Sequence, residues 1–363
     1  MKNLTTVLLV GVLTLASAAC SAVDSGPSTD TAGTKLDTAR LISRIAFGSC
    51  VDATKPVPAF NAIANAKPDL MIFLGDNVYA DTTDEAELRA AYQVLADNAG
   101  FRKLKLACPL LATWDDHDYG INDAGVEHPA KAMSQQVFLD FWGIPKDSPR
   151  RAREGVYDAQ TFGPAGQRIQ IILLDTRYHR GPLTPRPKDV ESTRGGRYVP
   201  NPDPALTILG EAQWAWLKEQ LQQPAKLRLI ASSIQVIAED HGWETWAMFP
   251  TERLRLIELI HETKANGVII LSGDRHQAEL SRLDEGAPYP LYDLTASAFN
   301  KPGLENDEPN RHRIGKRYAQ SNYGLLDIDW QTAPPIVRLK VMDPDGGVHV
   351  EHSFPLAELT PRS

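Results

Sequence analysis

The chain has 363 residues, 42% hydrophobic and 23% charged, with a formal net charge of −8. That length allows one large domain or two ordinary ones, and the apolar share is enough to fill a core. The acidic balance excludes a general nucleic-acid binder, which would show a basic face, and suits a cleft that gathers cations.

Residues 1–19 read as a targeting segment. Lys2 is the positive start, and Leu4–Ala16 is an apolar run too short to span a membrane. Ser17-Ala18-Ala19 then sets small residues before Cys20. Two outcomes stay open: lipidation of Cys20, or ordinary cleavage near Ala18 or Ala19. Ser17 stands where a lipobox usually carries Leu. Either outcome predicts an extracytoplasmic, periplasmic protein that touches the membrane only through a lipid anchor, with no protein partner implied. Ser21–Lys35 is rich in Ser, Thr, Gly, Asp and Pro, so residues 20–38 read as a disordered tether. Residues 39–363 read as a single domain, with no repeat and no linker inside.

Arg44–Cys50 (RIAFGSC) is a short strand with a polar tip, and Val57–Ala66 is a helix carrying Phe60 and Ile63. Leu70–Leu74 is apolar throughout, as a strand buried on both faces must be. Together they form a βαβ unit with parallel strands, which puts Cys50 and Asp76 at one sheet edge. Gly75-Asp76-Asn77 end the second strand, and Tyr79 follows. A plain turn uses these residue types too. A carboxylate and a phenol at a strand tip also suit a hard trivalent metal.

Thr82–Ala99 reads as one helix capped by Thr82 or Thr83. Leu106–Trp114 is a strand ending in Asp115-Asp116-His117-Asp118, and Lys131–Trp142 is an amphipathic helix. Ser148–Arg153 is a basic loop, either a solvated face or a loop that contacts phosphate. Gly155–Ala159 and Arg168–Leu174 are strands, the second ending in Asp175-Thr176-Arg177. Pro182–Pro204 is a long irregular excursion that would rim a site. Thr207–Gln222 is a helix. Leu227–Ile237 is a strand and its exit, followed by Glu239-Asp240-His241-Gly242-Trp243-Glu244. Trp243, Trp246 and Phe249 read as packing residues. Thr251–Asn266 is a helix with Thr251 as cap, and Val268–Leu271 is a strand ending in Ser272-Gly273-Asp274-Arg275-His276. Leu291–Thr295 and Tyr323–Asp329 suggest antiparallel strands. Ile336–Met342 and Val348–Phe354 flank Asp343–Gly347 as a hairpin. Strands alternating with helices and then a closing meander predict an α/β fold of two packed mixed sheets with helices outside, a four-layer αββα sandwich.

Four apolar strands thus end in metal donors: Cys50; Asp76 with Tyr79; Asp115, Asp116, His117 and Asp118; Asp274 with His276. One such ending is a turn. Four of them point to a site of mixed hard and borderline donors. Two metals sharing a bridging carboxylate suit phosphate-ester hydrolysis, where they generate hydroxide and clamp the phosphoryl oxygens. In an oxidising compartment a Cys50–Cys108 disulfide competes with the ligand role of Cys50.

The ordered set FGSC, GDNVYAD, ATWDDHDYG, LLDTRY and LSGDRH resembles the PhoD family of alkaline phosphatases and phosphodiesterases, from Arg44 to Leu283. GDNVY looks like the Gly-Asp-x-x-Tyr motif of the wider metallophosphoesterase superfamily, as in purple acid phosphatases. WDDHD stands where that superfamily has Gly-Asn-His-Asp/Glu, and GDRH where it has a late His motif. The resemblance implies ferric iron with calcium. Cys50, Asp76, Tyr79 and His276 would bind iron, Asp76 would bridge, Asp116 would hold calcium, and Asp274 would be a further ligand. His117 falls at the acid/base position. Arg177 would contact phosphate or else pair with Asp175. Asp115, Asp118, Asp175, Glu239, His241 and Glu244 would ligate or stand behind the ligands.

The implied activity is hydrolysis of small phosphate monoesters and diesters at alkaline pH, lost with a calcium chelator. Members can carry an N-terminal β-sandwich and a C-terminal helix over the metals, and this sequence shows neither. A more open site would admit bulky diesters or phospholipids. The competing readings are a phospholipase-like or nuclease-like diesterase, and a binding lipoprotein that keeps the fold.

Overall fold

The structure, a computed structural model, describes Met1 and residues 36–191, 196–305 and 308–361. The expected leader, Cys20 and the tether up to Lys35 lie outside the described residues. The last tether residues do not hang free. Leu36 packs against the core, and the Thr38 carbonyl accepts the Gly163 N–H at 2.9 Å. The described residues from Leu36 onward cluster as one compact unit. Among the described residues no helix is long and apolar enough to cross a membrane.

In chain order, β1 (Arg44–Gly48), α1 (Pro58–Ala66) and β2 (Leu70–Leu74) form the expected unit with parallel strands. The single helix expected over Thr82–Ala99 is two helices, α2 (Glu85–Asp97) and α3 (Ala99–Ala107). Asn98 breaks the run. Its backbone is extended, and its side chain accepts the Gly100 and Phe101 N–H groups, capping α3. Asp84, rather than a threonine, caps α2 through Ala86 N and Glu87 N. β3 (Leu110–Thr113) runs into a one-turn helix, α4 (Asp116–Tyr119), and α5 (Lys131–Phe141) follows.

β4 (Asp158–Phe162) starts three residues later than expected, because Gly155 turns with φ 92° and Val156 N is tied to Asp175 Oδ2. β5 (Ile169–Leu173) is followed by the small ribbon of β6 (Thr184–Pro185) and β7 (Tyr198–Val199) in the proline-rich excursion. Then come α6 (Gly210–Leu221), β8 (Leu227–Ser232), α7 (Pro250–Glu262), β9 (Val268–Ser272), β10 (Ala278–Leu283), β11 (Leu291–Ala296), β12 (Arg313–Tyr318) and β13 (Tyr323–Asp329). The hairpin β14 (Ile336–Met342) and β15 (Val348–Pro355) closes the chain as expected. Pro250 opens α7 at its first turn, so Thr251 is inside the helix and not its cap. β10 and β12 were not anticipated.

The first sheet has the order β15-β14-β13-β1-β2-β3, and the second β12-β10-β11-β9-β8-β5-β4. Alternate residues of β1 and β2 explain the layering. Ile45, Phe47, Leu70, Ile72 and Leu74 face the second sheet, in a core that also takes Trp214 and Leu217 of α6 and Leu256 and Ile260 of α7. Ala46, Met71 and Phe73 face outward onto Phe60, Leu88, Phe101 and Phe138 from α1, α2, α3 and α5. The result is the αββα sandwich. β1, β2 and β3 are parallel, as are β5, β8 and β9, so the ligand-bearing tips gather at carboxyl ends of strands.

Candidate metal centre

The strand tips enter the site through left-handed backbone. Cys50 (φ 64°), Asp76 (φ 49°), Asp274 (φ 65°) and His276 (φ 53°) all have positive φ. Such conformations cost about 1–3 kcal/mol each and persist where the surroundings over-determine them. Gly75 has φ 105°, and a Cβ on it would stand 2.4 Å from the Asp115 Cβ. Only glycine lets the β2 and β3 tips approach this closely.

The donor atoms form three linked groups, each within 4.8 Å: Cys50, Asp76 and His276; Asp76, Asp116 and His117; Asp115, Asp116 and Asp274. Asp76 belongs to two groups and so does Asp116. Tyr79 OH donates to Asp76 Oδ2 at 2.8 Å and lies 3.0 Å from His276 Nε2. Cys50 Sγ is 3.3 Å from the same Oδ2 and 3.1 Å from Ser297 Oγ. Both cysteines are free and buried, so the Cys50–Cys108 disulfide is not formed. Cys108 sits at the end of α3 within the outer core, away from the ligands.

Burial of so many acids has electrostatic consequences. Burial, then Cys50 and Asp116, push the Asp76 carboxyl well up. Burial, then Asp115, does the same to Asp274. Asp115 is pushed to about 8 by burial, against the pull of Arg177. Asp116 is the exception: burial is outweighed by Arg177 and His117, which hold it at about 2. Burial raises the Cys50 thiol to about 11, and raises the Tyr79 phenol well above its ordinary value. His276 is lowered to about 4 by burial, then by Lys301 and Arg275. Asp76 Oδ1 and Asp116 Oδ1 are buried without any hydrogen-bond partner. Orphaned carboxylate oxygens in donor groups that share a neutral imidazole are what bound cations would satisfy.

His117 Nδ1 lies 2.7 Å from Asp81 Oδ1, and its Nε2 is 4.0 Å from Asp116 Oδ2. Burial lowers its pKa, but Asp81 and then Asp116 more than offset this, and the net shift is upward. Asp81, Ser297 and Ser233 were missed at the sequence level. Ser297 directly follows β11, so the strand-tip rule could have found it. Asp81 lies in a loop and carried no such signal.

The other expected residues divide. Arg177 is fully buried. Its Nε donates to Asp115 Oδ1 at 2.6 Å and its NH1 to Glu244 Oε2 at 2.8 Å. It holds carboxylates together and does not line the cleft. Nor does its guanidinium pair with Asp175, whose Oδ1 accepts the backbone N–H of Arg177 and Tyr178 and so shapes the loop after β5. Asp115 Oδ1 also accepts Ser233 Oγ at 2.5 Å. Asp118 faces away from the donors, accepting from Asn77, Tyr92 and the Asp115 N–H. Asn77, read only as a turn residue, ties the two tips by also donating to the Thr113 carbonyl at 2.9 Å.

Glu244 lines the cleft, locked by Arg177 and Arg180. His241 is buried against Gln235, and Glu239 pairs with His312 and Arg253, so neither joins the donor groups. Trp246 and Phe249 are core residues as expected. Trp243 instead stands on the cleft wall. The cleft has a volume of about 290 Å³.

A family model described as PhoD-like phosphatase matches residues 45–327. Alkaline phosphatase D of Bacillus subtilis (strain 168) is 25% identical over 282 residues, which are 66% of this chain and 46% of that protein. The match therefore spans less than half the length of that relative. A solved structure of PhoD superposes with a TM-score of 0.68 at 19% identity, covering 90% of this chain and 72% of its own. Purple acid phosphatase PPD1 from yellow lupin (Lupinus luteus) seeds gives a TM-score of 0.54 at 10% identity, covering 86% and 53%. At these identities the two structures bear on the fold.

Proposed function

The chain belongs to the PhoD-like phosphatase family, and on that footing we propose that it is a metal-dependent hydrolase of phosphate monoesters and diesters with an alkaline optimum. The observation that carries this is the pair of orphaned, buried carboxylate oxygens, Asp76 Oδ1 and Asp116 Oδ1, among linked donor groups on one cleft. The donor types differ along the row. Cys50, Tyr79, His276 and Asp76 offer thiolate, phenolate, imidazole and carboxylate, a set that fits ferric iron. Asp116, Asp274 and Asp76 offer carboxylate oxygens alone, which fit calcium. Such ions, when bound, supply an activated water and neutralise phosphoryl charge.

The chain's own residues do the rest. Cys50 and Tyr79 give up protons on loading, which makes metal affinity rise with pH. Arg177 keeps Asp115 and Glu244 in place beneath the donors. His117, on the cleft wall, holds a proton on Nε2 for the leaving oxygen while Asp81 fixes its ring through Nδ1. The N-terminal pattern of residues 1–19 supports an extracytoplasmic site of action.

Elemental analysis with an absorbance scan tests the metal assignment. Iron plus calcium with a visible charge-transfer band is expected, and Cys50→Ser should lose or shift that band. Assay with 4-nitrophenyl phosphate and its bis ester, with and without chelator, tests the activity. A metal-loaded protein that cleaves neither ester sinks the reading.

A further inference from the structure

The cleft continues past the metal donors to a wall formed by Arg197, Trp243, Arg275 and Arg317. We propose that this wall is a second anion subsite, so that the preferred substrate carries another phosphate besides the ester that is cleaved. The proposal rests on the phosphoester-hydrolase reading and narrows it to a substrate class.

Two guanidinium groups are drawn to one indole. The Arg197 and Arg275 guanidinium carbons lie 5.4 and 5.5 Å from the Trp243 ring centroid. Each contact is attractive on its own, but two like charges on one ring repel. An anion between them relieves that repulsion. Arg275 donates to Glu308 Oε1 at 2.7 Å, yet its Nε is buried without an acceptor. Arg197 is exposed, and among the described residues it makes no ion pair.

The acids of the cleft are otherwise engaged. Asp116 and Asp274 belong to the donor groups, and Glu244 is held by Arg177 and Arg180. Glu308 serves Arg275 and Gln277, and Asp123 accepts the Tyr198 hydroxyl at 2.5 Å. Arg275 is already paired with Glu308 and lies 3.8 Å from Asp274 Oδ2, so the positive charge open to an anion on this wall is that of exposed Arg197, with the orphaned Nε–H of Arg275. Arginine forks bind phosphate through charge-assisted, paired hydrogen bonds, which favours a phosphate over a carboxylate as occupant.

The test compares propane-1,3-diol monophosphate with propane-1,3-diol bisphosphate as substrates of the metal-loaded protein. Two equivalent esters give a twofold statistical advantage. A real subsite should raise kcat/KM about tenfold or more, through KM, as one charge-assisted contact does. That advantage should fall towards twofold in Arg197→Gln, survive in part in Arg197→Lys, and shrink in high salt. Trp243→Ala, which frees Arg197, should reduce it as well. A parent advantage of only twofold, or one untouched by Arg197→Gln, overturns the subsite. If neither compound is cleaved, the 4-nitrophenyl esters decide the phosphoester reading, which falls only if they too are left intact. Calorimetry of bisphosphate binding then decides the subsite by itself: about a tenfold rise in Kd in Arg197→Gln supports it, and an unchanged Kd overturns it.

Discussion

His117 sits between two carboxylates with different duties. Asp81 orients the ring from outside, and Asp116 faces it from the donor row. If the imidazole delivers a proton and does not ligate, His117→Gln should lower kcat by about 10²–10⁴-fold with metal content intact. Asp81→Asn should cost less, about 10–100-fold, because it only loosens the ring. Steady-state kinetics beside metal analysis reads both, and loss of metal in His117→Gln would make the imidazole a ligand instead. Spacing in the sequence leads to His117 but not to Asp81. Asp84, three residues on, has the same side chain and merely caps α2. The same blindness applied to Arg177, whose place in the sequence does not reveal that its guanidinium reaches Asp115 and Glu244. Both contacts are long-range, and no periodicity encodes them.

Elements whose signal is a continuous apolar run were legible. β1, β2, β5, β8 and β9 follow the runs, and their polar tips mark the site. Elements defined by a single interruption were not. Asn98 splits α2 from α3 through a side-chain cap that competes with helix continuation. β10 (AELSRL) buries Glu279 against Arg313 and so hides its strand character. β12 is a half-exposed edge strand without clean alternation. The close approach of the β2 and β3 tips makes a prediction at this scale. Gly75→Ala adds a Cβ 2.8 Å from Asp115 N at a φ that only glycine favours. It should destabilise the protein by about 2–4 kcal/mol and weaken metal retention, as read from thermal unfolding with and without metal. An unchanged Tm would mean that the tips have slack.

The donor row spans the seam of the sandwich. Cys50, Asp76 and Asp116 come from the first sheet, and Asp274 and His276 from the second. Metal loading should therefore stabilise the whole molecule and change its response to pH. Asp115 and Asp118 have folded-state pKa values of about 8 and about 7, both raised first by burial, against 3.8 when unfolded. A raised carboxyl supports folding while protonated, and that support drains away as pH rises from its unfolded value through its folded one. The chelated protein should lose Tm steadily between about pH 4 and pH 8, whereas the loaded protein should not. A chelated Tm that climbs over that range would contradict the assignment. The layered architecture was legible because strands and helices alternate, but the long return of β13 onto β1 was not. That return pairs Arg44 with Asp327 and Phe47 with Gly324, residues almost a chain length apart. Cys50 leaves the ribosome early, yet its strand acquires a second neighbour only when Tyr323–Asp329 has been made. The donor group of Cys50 also takes His276, so that group cannot close until the chain beyond β9 has been made and docked across the seam.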